Sequence, residues 1–240
     1  MRQLEFDAID STNLEARRMA AAGDFGPLWI AAKRQSGGKG RRGRQWVSQP
    51  GNLFCTGLFP HEGTLASAAQ LSFAAALAVH DTVAQFRSDA DTKIKWPNDV
   101  LMNGAKIAGI LLESGGADGQ LWVAVGIGLN IGSAPKDTPY PATYLRADMG
   151  RLDWPLLTDI KQKLYTWFVY WRDAHARGGF EPLRTAWLDR AQGIGAPVTA
   201  RLPNETIKGT ALGMDKGGAL EVQTPSGEII KIHAGDVFFS

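Results

Sequence analysis

Disulfides are the first thing this sequence rules out. Cys55 is the single cysteine in 240 residues, so no bridge can form within the chain, and a reducing, cytoplasmic setting is expected. It sits in the alternating apolar run NLFCTGLF, which contains no histidine and reads as a strand around a buried structural thiol rather than a nucleophile. Long apolar runs are missing too: no stretch reaches the roughly 18 residues of a membrane span. The opening residues MRQLEFDAIDSTN lack the apolar core of a signal peptide. Excess charge is also missing. The 26 Lys and Arg against 24 Asp and Glu leave a net +2, too little for a protein that coats nucleic acid, so positive charge matters only where it clusters. No internal repeat or low-complexity tract interrupts the chain. What remains is ordinary globular composition, 44% hydrophobic and 21% charged, enough for a packed core in one or two domains of roughly 100–200 residues each.

Periodicity divides the chain in two. Arg2 to Ile9 and Pro27 to Lys33 read as strands, with a short helix over Asn13 to Ala22 between them, stopped by Gly23. Asn52 to Phe59 reads as a strand, and the alanine-rich Leu65 to Phe86 as a buried helix. TKIKWP, DVLMNGAKIAGILLE and GQLWVAVGIGLNIG form a dense β region, with tight turns at Asn103–Gly104 and at Ala117 to Gly119. Trp154 to Ala176 places Leu157, Ile160, Leu164, Phe168 and Trp171 on one helical face, and a last helix runs near Glu181 to Arg190. From Ala196 the texture changes to short strands (PVTARL, ETIKGTALGM, GALEVQT, GEIIKIHAGDVFF) separated by PN, DKGG and PSG turns, the pattern of a small barrel. The boundary falls near Gly193 to Gly195.

Three stretches carry candidate chemistry. QSGGKGRRGRQWVSQPGN, residues 35–52, joins several glycines to Lys39, Arg41, Arg42 and Arg44, then to Trp46. Free backbone N–H groups and cationic side chains suit an anion such as phosphate; the indole offers a flat face to a base or an apolar ligand. In an extended segment Lys39 and Arg41 would face the same way. The plainer reading of the same residues is a solvated loop. KIKWPNDVLMNGAKIAGILLE embeds Lys95, Asn98, Asp99 and Lys106 in an apolar sheet. Lys106 is either an exposed strand end or a charge aimed into a pocket, and Gly109 in mid-strand suits a close approach to the backbone. DSTN at Asp10 to Asn13 is a good helix cap and a weaker candidate site. Two generic motifs fail. A Walker loop would need Gly at position 33, which is Lys, and Ser or Thr at position 40, which is Gly; the dinucleotide fingerprint begun by Gly126 and Gly128 meets Ile at 131.

Taken together, DSTN, QSGGKGRRGRQW, KWPNDV, KIAGILLE and GIGLNIG resemble the biotin–protein ligase family in order and approximate spacing, and the tail GTALGMDKGGALEV…IHAGDVFF resembles its C-terminal barrel. The resemblance implies an α+β fold, with a mixed sheet and flanking helices of the class II synthetase-like kind over residues 1–192 and a small SH3-like barrel over 193–240. It also implies an ATP-dependent ligase that forms biotinyl-5′-AMP and transfers biotin to a lysine of a biotin carboxyl carrier domain. Biotin and ATP are then substrates, Mg²⁺ arrives with ATP, and no protein-borne metal site is expected. By the same resemblance Ser11, Thr12, Asn13 and Gln35, with the backbone of Gly38, Lys39 and Gly40, hold the ureido head. Gly109 and Gly128 flank the aliphatic tail and Trp46 packs on the ligand. Lys106 bridges the carboxylate and α-phosphate, Arg41 holds the adenylate phosphate, and Lys39, Arg44, Asn98, Asp99 and Asn130 serve the nucleotide. The family's usual GRGRRGR is GKGRRGR here, so Lys39 keeps the charge but loses the planar fork. With DSTN beginning at residue 10, no DNA-binding domain, operator binding or membrane association is expected; exposed sheet edges leave room for a homodimer.

A lipoate–protein ligase is the nearest rival, and KWPND with the arginine-rich loop favours biotin. A nucleic-acid module is the rival from another class, and the near-neutral charge argues against it. The glycines of the loop have a large ordering entropy that ligand contacts would offset. Trypsin should therefore cut between Lys39 and Arg44 in the free protein and cut more slowly with biotin and ATP present; equal rates would contradict a ligand-ordered loop.

Overall fold

The computed structural model describes residues 1–117, 119–149 and 156–239. Seven strands form the first sheet: β1 (Arg2–Phe6), β2 (Leu28–Ala32), β3 (Leu53–His61), β4 (Thr92–Lys95), β5 (Asp99–Met102), β6 (Ala105–Ala117) and β7 (Gln120–Leu129). Their order is β1-β2-β3-β7-β6-β5-β4. β1 and β2 pair in parallel and the other neighbours are antiparallel, so the sheet is mixed. The described residues also form four α-helices, α1 (Thr12–Ala21), α2 (Leu65–Phe86), α3 (Leu157–Gly178) and α4 (Glu181–Asp189). Among the described residues none of them is long and apolar enough to cross a membrane. The second sheet has the order β11-β10-β9-β8-β12, from β8 (Pro197–Arg201), β9 (Thr206–Met214), β10 (Leu220–Gln223), β11 (Ile229–Ile232) and β12 (Asp236–Phe239).

Strand alternation sorts the first sheet into two faces. On β7, Val123, Val125, Ile127 and Leu129 join the large core under α2 and α3, whereas Ala124 joins the smaller core with Ala16 and Ala20 of α1. Gly126 and Gly128 continue the small-residue row, so α1 and the chain before it lie close to the sheet and a hollow remains beyond them. The opposite face is sealed. α2 brings Ala68, Ala74, Ala75 and Ala78 fully buried against the strands, and its first turn is closed by a reciprocal capping box between Thr64 and Ser67. Trp29 stacks on Tyr165 of α3 with ring centroids 4.0 Å apart.

The sequence reading and the structure differ at element ends. β1 stops at Phe6, and GEIIKIHAGDVFF is two strands with a bend at residues 233–235, because β11 and β12 lie at opposite edges of the second sheet. The expected start of α3 at Trp154, and Asp118 in the second hairpin turn, lie outside the described residues. The two sheets share one core: Val198, Ala200, Met214, Leu220 and Val237 belong to the same buried cluster as Phe73, Trp96 and Trp187. At the seam the indole of Trp96 donates to Gly218 O at 3.1 Å, and Arg184 Nε donates to Met214 O at 2.7 Å.

Gly218 has φ +95°, and a Cβ there would lie 2.8 Å from the Phe73 ring. Gly218→Ala should cost about 2 kcal/mol from the left-handed backbone and the crowding together. That corresponds to a melting temperature lowered by about 4–8 °C. A melting temperature within 1 °C of wild type, an order-of-magnitude smaller effect than about 2 kcal/mol would give, would show that the seam yields freely.

Candidate active site

A cavity of about 350 Å³ opens on the α1 face of the first sheet, within the range of small-molecule sites. Every site residue that the family resemblance implies lines it except Gly38 and Asn130; Arg42 and Lys95, singled out for their charge, do not. It has a neutral end and a cationic end.

The neutral end is built where α1 begins. Ser11 stands at the N-cap but its side chain makes no capping bond; it is 2% exposed and turned to the cavity. Gln35 fastens the next residue instead: its Oε1 accepts from the Thr12 backbone N–H at 2.8 Å and lies 3.2 Å from the Thr12 hydroxyl. Its Nε2 donates to Ser48 Oγ at 3.1 Å. Asn13 is buried, with its amide nitrogen on Leu111 O (3.3 Å) and Glu113 Oε2 (2.9 Å) and its oxygen 2.8 Å from the Thr56 hydroxyl. Thr56 is in turn 2.8 Å from the Thr12 hydroxyl. Gly126 is required here, since a Cβ would run into Asn13 Oδ1.

The cationic end is built on the β5–β6 hairpin. Asn103 (φ +52°) and Gly104 (φ +75°) make the turn, as the NG pair requires. The register then slips between Val100 and Leu101, which face Ala108 and Lys106. This bulge re-aims the strand start, and Lys106 is not the exposed strand end it resembled in sequence. Its side chain is 14% exposed, and its ammonium lies 2.7 Å from Asp99 Oδ1, 5.6 Å from the centre of the Trp46 ring and 5.0 Å from that of Tyr140. The backbone of Lys106 is pinned by segment 134–144: Lys106 N donates to Pro141 O at 2.8 Å and Thr143 N donates to Lys106 O at 2.9 Å.

The glycine-rich loop forms the cavity's remaining wall. It is not extended: residues Arg41–Gly43 make a 3₁₀ turn with Arg42 at φ +55°. Lys39 pairs with Gln45 across it, so Lys39 and Arg41 reach the cavity by a turn rather than by strand alternation. Arg41 Nη1 donates to Asn98 Oδ1 at 2.9 Å, and Asn98 is itself held by Nδ2 on Ile110 O at 2.6 Å. Burial, then the neighbouring Arg42 charge, push the Arg41 guanidinium below its ordinary pKa. Among the described residues its hydrogen-bond partner is neutral, so it is a cation short of counter-charge. Arg42 and Arg44 turn outward to Asp236 of β12, at 3.4 and 3.0 Å. Arg44 also lines the cavity.

Three placements depart from the sequence reading. Gly109 and Gly128 do admit a close approach, but the approaching group is the Trp46 indole: a Cβ at Gly109 would be 2.9 Å from the ring, and one at Gly128 would run into it. The Trp46 Nε1 is buried with no hydrogen-bond partner among the described residues. Gly38 lies behind the wall, its carbonyl accepting from Trp46 N at 2.9 Å. Asn130 lies outside the wall; it braces residues 143–145, with Nδ2 on Thr143 O at 3.0 Å and its carbonyl accepting from Leu145 N at 3.0 Å. Tyr140, Asp137 and Thr138 line the cavity without having been singled out. They belong to a proline-rich stretch whose sequence says only that it is a loop. Cys55 is on the cavity floor, 1% exposed, and burial pushes its thiol pKa up to about 12, which fits an inert structural cysteine.

Comparison with known proteins follows the same lines. Residues 6–131 match the Biotin/lipoate A/B protein ligase family, and residues 193–240 match the Biotin protein ligase C terminal domain. The biotin–[acetyl-CoA-carboxylase] ligase of Paracoccus denitrificans is 41% identical, over 96% of this chain and 97% of that protein. The bifunctional ligase/repressor BirA of Bacillus subtilis is 32% identical, over 96% of this chain and 72% of its own length. In fold, the chain resembles the biotin protein ligase from Aquifex aeolicus solved with biotin and ATP, with a TM-score of 0.82 and 23% identity over 100% of this chain and 99% of that one.

Proposed function

Because the chain belongs to the biotin/lipoate A/B protein ligase family, we propose that its cavity is where biotin and ATP are joined and from which biotin passes to a carrier lysine. The protein is an ATP-dependent biotin–protein ligase. The observation that carries the assignment of residues is the polarity of the cavity: neutral hydrogen-bonding groups at one end, Lys106 and Arg41 at the other, and the Trp46 indole between them.

The neutral ureido ring of biotin occupies the end formed by Ser11, Thr12 and the Gln35–Asn13 framework. The acyl chain runs along Trp46, leaving the carboxylate at Lys106. In the first half-reaction a carboxylate oxygen attacks the α-phosphorus of MgATP, the bond to the β-phosphate oxygen breaks, and pyrophosphate leaves. Two anions must meet for this to occur. Lys106 leaves Asp99 to stand between them, and Arg41, short of counter-charge, takes the phosphate; both charges act where the transition state gathers negative charge. Asn98 fixes Arg41. Lys39 and Arg44 add to the phosphate field, with the backbone of Gly38 and Gly40 shaping the loop that carries them. In the second half-reaction the carrier's lysine amine attacks the acyl carbon, the acyl–phosphate bond breaks, AMP leaves, and the amine gives up a proton. No side chain of this protein is acylated. The name of the Paracoccus relative gives acetyl-CoA carboxylase as the acceptor, and a carboxylase's biotin carrier is the partner this chemistry needs. Residues 1–192 would supply the reaction site, and 193–240 the anchor for the loop through Asp236.

Lys106→Ala should lower adenylate formation on the order of 10²–10³-fold, as for loss of one preorganised electrostatic donor, while biotin binding without ATP falls much less. Pyrophosphate release close to wild type would take Lys106 out of the reaction. Arg41→Gly removes a phosphate contact and loosens the loop. It should leave part of the first half-reaction while letting biotinyl-5′-AMP escape, so that lysines of a bystander protein are biotinylated. Bystander labelling no higher than wild type per adenylate formed would mean that Arg41 does not retain the intermediate.

A further inference from the structure

Behind the neutral end of the cavity runs a chain of hydrogen bonds whose proton directions are forced. One end of the Asn13 amide faces Leu111 O and Glu113 Oε2, at 3.3 and 2.9 Å. A backbone carbonyl only accepts, and so does a carboxylate lying 3.6 Å from the Arg17 guanidinium. That end is therefore the NH₂, and the oxygen points the other way, to Thr56 Oγ1 at 2.8 Å. An amide oxygen only accepts, so the single proton of the fully buried Thr56 hydroxyl is committed to Asn13. Thr56 then has only lone pairs left for the Thr12 hydroxyl, 2.8 Å away. The Thr12 proton therefore goes to Thr56, since two oxygens 2.8 Å apart need a proton between them; Gln35 Oε1, 3.2 Å away, already accepts from the Thr12 N–H at 2.8 Å. That proton is spent inside the protein. Toward the cavity, which Thr12 lines, its oxygen offers a lone pair and no proton.

We propose that Glu113, Asn13 and Thr56 are positioning residues that fix Thr12 as a hydrogen-bond acceptor, and that this polarity selects an acyl substrate whose ring offers an N–H. The inference rests on the reading that biotin's ureido ring sits at this end of the cavity. A cyclic urea satisfies such an acceptor. A dithiolane ring, the head of lipoate, has no donor to give, and a ring oxygen would set lone pair against lone pair. Within a family that covers both biotin and lipoate ligases, the relay supplies a discrimination that a hydrophobic pocket could not: a site built to pair an N–H rejects the analogue that lacks it.

The test measures the affinity of the full chain, without ATP, for biotin and for the two cyclic carbamates in which a ring oxygen replaces one or other ureido N–H. The isomer that wild type rejects more strongly marks the nitrogen facing Thr12, and the expected preference for biotin over it is at least about 10²-fold. Thr56→Val removes the group that absorbs the Thr12 proton and leaves only the longer 3.2 Å contact to Gln35 to compete with a ligand for it, so the hydroxyl can turn and donate. The preference should fall about tenfold or more, while Thr56→Ser keeps it. A packing defect alone would weaken all ligands together and leave the ratio where it was; a ratio within about twofold of wild type in Thr56→Val overturns the proposal. If that variant does not fold, Glu113→Ala at the half-exposed far end of the relay decides, with a fall in the ratio of about threefold or more expected and an unchanged ratio overturning it. Wild type that fails to bind biotin at all would instead overturn the placement of the ureido ring, and the relay's role with it.

Discussion

An ammonium group held at the start of a strand in an apolar sheet must have negative charge beside it, and the site is organised around that need. The bulge between β5 and β6 turns Lys106 inward, and Asp99, on the facing strand, meets it at 2.7 Å. Partly buried charges of this kind are tolerable only in pairs. Asp99 is therefore a resident counter-ion, and in the proposed reaction the substrate anions take its place. Trp46 and Tyr140 stack around the same ammonium, offering π-faces that a cation accepts at little cost in desolvation. On the proposed mechanism the carboxylate and phosphate are drawn to a charge that is already made, already oriented and only provisionally satisfied.

The loop that completes the cavity is tied to both sheets. Arg41 reaches inward to Asn98 beside β5, and Arg42 and Arg44 reach outward to Asp236 on β12. The surface ion pairs are individually weak, so they suit the proposed role of a loop that opens for substrates and closes over a hydrolysable anhydride. Their anchor is steadier. The second sheet shares the first sheet's core through Phe73, Trp96 and Trp187 and is hydrogen-bonded to it at Gly218 and Met214. The C-terminal sheet thus anchors the loop that walls the cavity's cationic end.

Much of this was legible in the sequence where one residue type has one physical use. The alanine spacing of Leu65 to Phe86 marked α2 to the residue, the NG pair marked the β5–β6 turn, and the separated motifs named the residues that converge on one cavity. What could not be read depends on pairings across the sheet. Nothing local distinguishes Thr56 from any other strand threonine, or Glu113 from a solvated strand end, until β3, β6 and α1 are brought together. Asp236 lies 192 residues beyond Arg44 in the chain. Gly109 and Gly128 were recognisable as places of close approach, but the approaching group, Trp46, was not. Asn130 shares its motif with cavity residues yet braces segment 143–145, because its strand has ended and the chain turns away.

The central claim is that Lys106 exchanges Asp99 for the two reacting anions. A crystal structure of this protein with biotin and a non-hydrolysable ATP analogue tests it directly. The expected result is Lys106 Nζ within hydrogen-bond distance of both a biotin carboxylate oxygen and an α-phosphate oxygen, with the Asp99 contact lengthened. Both substrates bound with Lys106 still on Asp99, and the carboxylate and α-phosphate brought together by other groups, would contradict it.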